Sequence, residues 1–306
     1  MRPWGVAQAL VAVAQRQDGV VTWDQARRHG ETEGTVRAHL RTGRWTRVRQ
    51  GAYLISDATT VRDPWVQARA AALTVPGAVI AGRSAARLWR VDGLPDGAVE
   101  IAVPRRRTLR SRPDLLVRCV SLEASDVVEV RGLRLTSPAR TLQDVVLGHD
   151  RLTGVAAVDS ALRRGLVRPG DLPALAAGCL GRPGSRATAD VWSLADGRAE
   201  SVLESRVRVR CVDGGLPPEE LQLEIRDERG VLQARVDLAY RTRRRPGRGL
   251  LVVEADGSAV HGSADAAFAD RERGNRLAGL GHDMLRFTYR DTGDALTIPR
   301  AVRAAL

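Results

Sequence analysis

Lysine is absent from this 306-residue chain: its 48 basic residues are all arginine, against 36 acidic ones. That excludes a P-loop lysine, a Schiff-base lysine and a catalytic lysine of any other kind. Cysteine is scarce too. Cys119, Cys179 and Cys211 are odd in number and far apart, matching neither a metal-ligand spacing nor a disulfide framework, so a reducing cytoplasm is expected. No apolar run approaches the ~18 residues of a membrane span. The apolar start, with Trp4, Ala7, Val11 and Ala14 at helical spacing, reads as a helix and not as an export leader.

What is present is positive charge. The formal net charge is +12, with 43% hydrophobic and 27% charged residues, a globular composition with a strong basic excess. Arginine stays charged at every working pH and forks onto phosphate, so an anionic polymer is the expected partner.

In the first 60 residues, Thr22-Trp23-Asp24-Gln25 has the pattern of a capping box opening a short helix that stops at Gly30. A third helix is expected from about Thr32 to Thr42, burying Val36 and Leu40. That leaves Thr35, Arg37 and Arg41 outward, with His39 on the flank. Arg47 to Ile55 reads as two strands joined at Gln50-Gly51. Helix, helix, helix, hairpin is the order of a winged helix-turn-helix, with Thr35, Arg37 and Arg41 on the groove helix and Arg47 and Arg49 on the wing. Cations on one such face would displace condensed counterions from double-stranded DNA; solvated arginines on a small structural domain are the alternative.

The middle of the chain mixes helices with short strands. Helices are expected at Val66–Val75, Ser84–Trp89, from Pro138 to Val146 behind a Ser137 cap, and at Val155–Arg164. Strands are expected at Val99–Val103 and Leu115–Val120. Arg105, Arg106, Arg107, Arg110 and Arg112 lie in a loop that could hold phosphate or be merely solvated. Gly178 to Ser185 is the best linker candidate.

The C-terminal third carries the most chemistry. A helix starts at Ser201-Val202-Leu203-Glu204. Leu221, Leu223 and Ile225 alternate as one strand. In the next, Ala234, Val236 and Leu238 share a face and Asp237 takes the other. Leu250–Val253 is a strand apolar on both faces, ending in Glu254-Ala255-Asp256-Gly257. A helix over about Ala264–Leu280 and a strand at Asp283–Thr288 follow. Period-two geometry puts Glu254 and Asp256 on one face, and a hairpin brings Asp237 alongside Glu254. Carboxylates converging at a sheet edge make an oxygen-lined site for Mg²⁺ or Mn²⁺, which activates water and stabilises charge on phosphate. Each residue also has a plainer reading. Glu204 completes a Ser-x-x-Glu capping box, His261 can be a solvated loop residue, and Asp237 and Glu254 can pair with arginine in an inert site. Asp270, Arg271 and Arg273 can be surface ion pairs. The Arg241, Arg243, Arg244, Arg245 and Arg248 loop joins the two carboxylate strands.

Helix Glu, strand Asp, strand Glu resembles the PD-(D/E)XK nuclease superfamily. Val252 to Arg290 resembles the Vsr-related endonuclease-like domains, through Glu254-Ala255-Asp256-Gly257, a histidine such as His261, Asp270-Arg271 with Arg273, and Gly281 to Phe287. The resemblance implies Asp237 and Glu254 as metal ligands, Glu204 as support for the metal or its water, and His261 as general acid/base. The motif lysine is replaced by Asp256, leaving Arg271, Arg273 or His261 to orient phosphate or water. The front two-thirds resembles the AbiEi antitoxins, through Arg47 to Ile55, Ser84-Ala85-Ala86-Arg87-Leu88-Trp89 and Leu135 to Leu142. That implies a repressor that binds its own promoter and counters a nucleotidyltransferase toxin encoded nearby.

The expected architecture is α/β, of α+β multidomain type: a winged helix-turn-helix at 1–60, a mixed α/β domain at 61–182 and a PD-(D/E)XK-like mixed sheet flanked by helices at 190–306. The first functional expectation is a cytoplasmic Mg²⁺-dependent DNA endonuclease. The alternative is a non-catalytic repressor or antitoxin with a degenerate nuclease fold. RNA as substrate is a third, since a basic surface does not distinguish the two polymers.

Overall fold

Two threonine caps organise the start of the chain. The Thr22 hydroxyl accepts from the Gln25 amide while the Gln25 side chain takes the Thr22 amide, and Thr32 and Thr35 repeat the exchange. They open α2 (Trp23–Arg28) and α3 (Glu33–Arg41), which follow α1 (Gln8–Gln15) and β1 (Val20–Thr22). The computed structural model describes residues 8–55, 60–106, 109–241, 249–257 and 264–306, with backbone alone at 264–267, 269 and 270. Among them are twelve α-helices and three mixed or antiparallel sheets, in two compact units, Met1–Val145 and Val146–Leu306.

In the first unit, β2 (Thr46–Arg49) and β3 (Ala52–Leu54) form the expected hairpin, and β1, which the sequence pattern did not suggest, adds to the far edge of β3. Leu10, Ala14, Val21, Ala26, Val36, Trp45 and Tyr53 fill the core beneath. The buried residues of α3 are Val36 and His39, with Leu40 only partly covered. His39 is not on the flank: its ring stacks on Trp45 at 4.9 Å, a flat contact an aliphatic period cannot anticipate.

The rest of this unit is a five-stranded sheet ordered β6-β5-β4-β8-β7. Its strands are β4 (Val79–Ile80), β5 (Val99–Val103), β6 (Leu115–Cys119), β7 (Val127–Val130) and β8 (Leu133–Thr136). Helices α4 (Pro64–Thr74) and α5 (Gly82–Leu88) cover one face, where Ala71, Leu88, Ile80, Ile101 and Leu135 are buried together. Asp18, in the left-handed region at φ 52°, ties the segment before β1 to α4 through Arg69 at 2.9 Å, and to Arg131 at 2.5 Å. The boundary between the units falls in α6 (Pro138–Gly148).

The second unit begins with α7 (Arg151–Arg163), α8 (Leu172–Ala177) and α9 (Val191–Leu194). Ten consecutive residues of α7, Leu152 to Ala161, are buried, partly against α10 (Val202–Asp213). Gly178–Ser185 is no free linker. It is a turn-rich stretch in which a Cβ on Gly184 would meet the Leu147 carbonyl oxygen at 2.6 Å, so its glycines serve close packing as well as turning. The sheet is ordered β12-β11-β10-β9, from β9 (Glu220–Arg226), β10 (Leu232–Arg241), β11 (Leu250–Ala255) and β12 (Asp283–Phe287). The β11–β12 pair is parallel and the others antiparallel. Leu203, Val207, Ile298 and Val302 of α10 and α12 (Thr297–Ala305) pack on one face, and Leu277 of α11 (Ala264–Gly279) on the other.

Candidate functional site

The hairpin of β10 and β11 pairs Leu238 with Val253, so the next position in register sets Asp237 beside Glu254. The Ala255 amide donates to Asp237 Oδ2 at 2.9 Å. Glu204 comes to the same place from α10. Its amide is capped by the Ser201 hydroxyl, but its carboxylate does not return to the cap; it accepts the Glu200 amide and the Gln222 side-chain amide, both at 2.7 Å. Gln222 Nε2 also lies 3.4 Å from Asp237 Oδ1, linking the two acids.

The local backbone explains how an acid is held here. Leu223, Ile225, Ala234 and Val236 pack in the core beside Leu277, whereas Leu221, Leu238 and Tyr240 pack in the opposite core beside Leu203. Strict alternation, which would keep Ala234, Val236 and Leu238 together, therefore fails. Val236 faces Leu223 and Leu238 faces Leu221, so both strands change face at the facing pair Gln222 and Asp237. Gln222 takes φ 53°, a left-handed conformation that costs a non-glycine residue about 1–2 kcal/mol.

Burial raises the Glu204 carboxyl above the ordinary range, with the nearby Asp237 charge adding to the rise, and burial raises Asp237 likewise despite the Ala255 amide. Glu254, 6% exposed, faces two guanidinium groups: Arg273 Nη2 at 2.5 Å from Oε1, and Arg286 Nε at 3.6 Å from Oε2. Arg273 also donates to the Arg235 carbonyl at 2.6 Å.

Oxygen donors of the right chemistry for Mg²⁺ are thus collected, but as arranged they do not fit it. Amide donors hold Glu204 and Asp237, and the Arg273 cation sits against Glu254. Among the described residues no three acidic, histidine or cysteine side chains form a group that could hold a metal.

Asp256 lies just beyond β11, its amide bonded to the Phe287 carbonyl. His261, Arg107, Arg243, Arg244, Arg245 and Arg248 lie outside the described residues, as does the Asp270 side chain. Arg271 is exposed on α11, apart from the Glu254–Arg273 contact. Arg241 is exposed and lies 3.5 Å from Glu219.

The second candidate surface lies in the first unit. Trp23, Val36, Leu40, Tyr53, Arg37 and Arg47 line a cleft of 340 Å³ between α3 and the hairpin. Arg41, Arg44 and Arg47 are exposed, and Arg37 is exposed while paired with Glu33 at 2.8 Å. Thr35 is exposed, but its hydroxyl is engaged with Glu31 and the Thr32 carbonyl. Arg49 does not join this face. A bulge between Arg47 and Arg49 interrupts the β2–β3 register, breaking the period-two alternation. The Arg49 side chain is 7% exposed and lies 3.3 Å from Asp114, and burial lowers its pKa. Arg105, Arg106, Arg110 and Arg112 are exposed.

Two residues of consequence carry little sequence signal. Gln222 matters through its backbone conformation and its link between two acids. His282 Nδ1 accepts the Leu250 amide at 2.8 Å, with burial lowering its pKa; only Gly249, where a Cβ would collide with the imidazole, hints at it.

Among the described residues no helix is long and apolar enough to cross a membrane. Residues 77–191 match the AbiEi antitoxin C-terminal domain family. The chain is also similar to uncharacterized proteins of two Mycobacterium tuberculosis strains, CDC 1551 and H37Rv. Each is 29% identical over 253 residues, 82% of this chain and 88% of theirs.

Proposed function

We propose that this protein is a DNA-binding regulator of antitoxin type. The match of residues 77–191 to the AbiEi antitoxin C-terminal domain carries the reading. The preceding elements support it: three helices and a hairpin stand in winged-helix order, with Arg37 and Arg47 lining the α3–hairpin cleft and Arg41 and Arg44 exposed at the end of α3 and just after it. Phosphate contacts from such a face supply affinity and register without specifying sequence. A toxin encoded nearby would be the protein partner.

The test is a gel-shift salt titration on DNA from upstream of its own gene. Wild type should bind in a steeply salt-dependent way. Arg41→Ala with Arg47→Ala should weaken binding and flatten log K against log salt by about 0.9 per lost phosphate contact. Unchanged affinity and slope would remove this face from the proposal.

A second reading, metal-dependent phosphodiester hydrolysis, draws on the convergence of Glu204, Asp237 and Glu254. The Arg273 contact weighs against it. Plasmid nicking with Mg²⁺ or Mn²⁺, abolished by Glu254→Ala and by EDTA, would favour it.

A further inference from the structure

We infer that Arg273 is the resident cation of the Glu204–Asp237–Glu254 cluster, occupying by covalent tether the position against Glu254 that a dissociable divalent ion would need. The inference is independent of the DNA-binding proposal, because it concerns other residues. A carboxylate as buried as Glu254 needs a counter-charge, and Arg273 Nη2 supplies one at 2.5 Å. The same nitrogen donates to the Arg235 carbonyl on β10, so the guanidinium is held on the sheet and is not a stray surface contact. Arg286 adds a second positive charge on the other Glu254 oxygen.

A divalent ion binds carboxylate oxygen at about 2.0–2.6 Å and cannot share Glu254 Oε1 with a guanidinium already in contact. It would also meet repulsion from both arginines. The other two acids are each fixed through one oxygen: Asp237 Oδ2 accepts the Ala255 amide, and Glu204 Oε2 accepts the Glu200 and Gln222 amides. The cluster is thus a structural joint between α10, β10, β11 and α11, with Arg273 as its cation.

The experiment measures Mn²⁺ binding by the full chain, using electron paramagnetic resonance of free Mn²⁺ and the thermal midpoint with and without the ion. Wild type is compared with Arg273→Gln and with the double variant Arg273→Gln/Glu254→Gln. Wild type should show no binding at millimolar Mn²⁺. Arg273→Gln should gain Mn²⁺ binding at least tenfold above wild type and be stabilised by the ion, and the double variant should lose that gain. If Arg273→Gln folds only with Mn²⁺ while the double variant folds without it, the inference also stands. Glu254-dependent Mn²⁺ binding by wild type would overturn it. So would an Arg273→Gln protein that folds and binds no Mn²⁺, or failure of both variants to fold. The last result would make the Arg235 carbonyl contact, not the counter-charge, the role of Arg273.

Discussion

Arg208 on α10 donates to Asp159 on α7 at 2.9 Å, and both side chains are buried, Asp159 completely. The other Asp159 oxygen accepts the Asp196 amide at 2.6 Å. One acid therefore joins the helix that ends within the antitoxin-like segment to the helix that delivers Glu204. Burial outweighs Arg208 and leaves the Asp159 carboxyl above its ordinary range, so the pair pays heavily for desolvation. Removing one partner strands the other: Arg208→Met should cost about 3–5 kcal/mol, whereas Asp159→Asn with Arg208→Met should cost much less. Urea unfolding of the single and double variants checks this, and equal losses in both would refute it.

A second buried acid rests on a glycine. Glu100 is 2% exposed and held by Arg83 at 2.6 Å and Arg118 at 3.1 Å. Gly82, at φ 51°, leaves so little room that a Cβ would collide with the Glu100 carboxylate. Gly82→Ala should combine left-handed strain of about 1–2 kcal/mol with loss of both ion pairs. The expected total is about 3 kcal/mol or more, read as a lowered denaturation midpoint. A Gly82→Ala protein as stable as wild type would refute both the strain at residue 82 and the collision with Glu100.

The raised carboxyls of Glu204 and Asp237 set a sign for pH. An acid whose folded pKa lies above its unfolded value binds protons more readily in the native state. Stability attributable to it therefore rises as pH falls from neutral into the window above the ordinary carboxylate range, and levels off below that window. Asp237→Asn removes one of these acids and relieves the other of a like charge. Its stability relative to wild type should be most favourable at pH 7 and decline toward pH 5. Thermal melts of the two proteins across that range, with a constant or widening advantage at low pH, would contradict this sign.

Much of this arrangement is legible in the residues. The Thr22–Gln25 exchange, the Gln50-Gly51 turn and the Leu250–Val253 run each specify their element locally, because caps, turns and two-sided burial leave a chemical trace in neighbouring residues. The approach of Asp237 to Glu254 follows from one hairpin. The cation on Glu254 does not: twelve arginines lie beyond Asp237, and only the packing of α11 on the sheet selects Arg273. The face change at Gln222 and Asp237 is invisible because it runs against period two, and no glycine marks the left-handed residue. Residue 49 fails for a related reason, since the bulge that redirects it is a property of two strands together.

That redirection separates two arginines that sequence alone treats alike. Arg47 is exposed on the cleft beside α3, and Arg49 is buried against Asp114. Its Nε and Nη1 have no hydrogen-bond partner among the described residues, so its charge rests on one contact 3.3 Å long while desolvation opposes it. On the proposed DNA-binding face, Arg47→Ala should weaken binding and lower the salt slope by about 0.9 with little effect on folding. Arg49→Met should leave the salt slope unchanged. Its folding stability should stay near wild type or rise, because a well-packed apolar chain can replace a poorly compensated buried charge at no cost. Paired gel-shift titrations and thermal melts distinguish the two. A flattened salt slope in Arg49→Met, with folding intact, would place Arg49 on the phosphate backbone and require the hairpin to rearrange on binding.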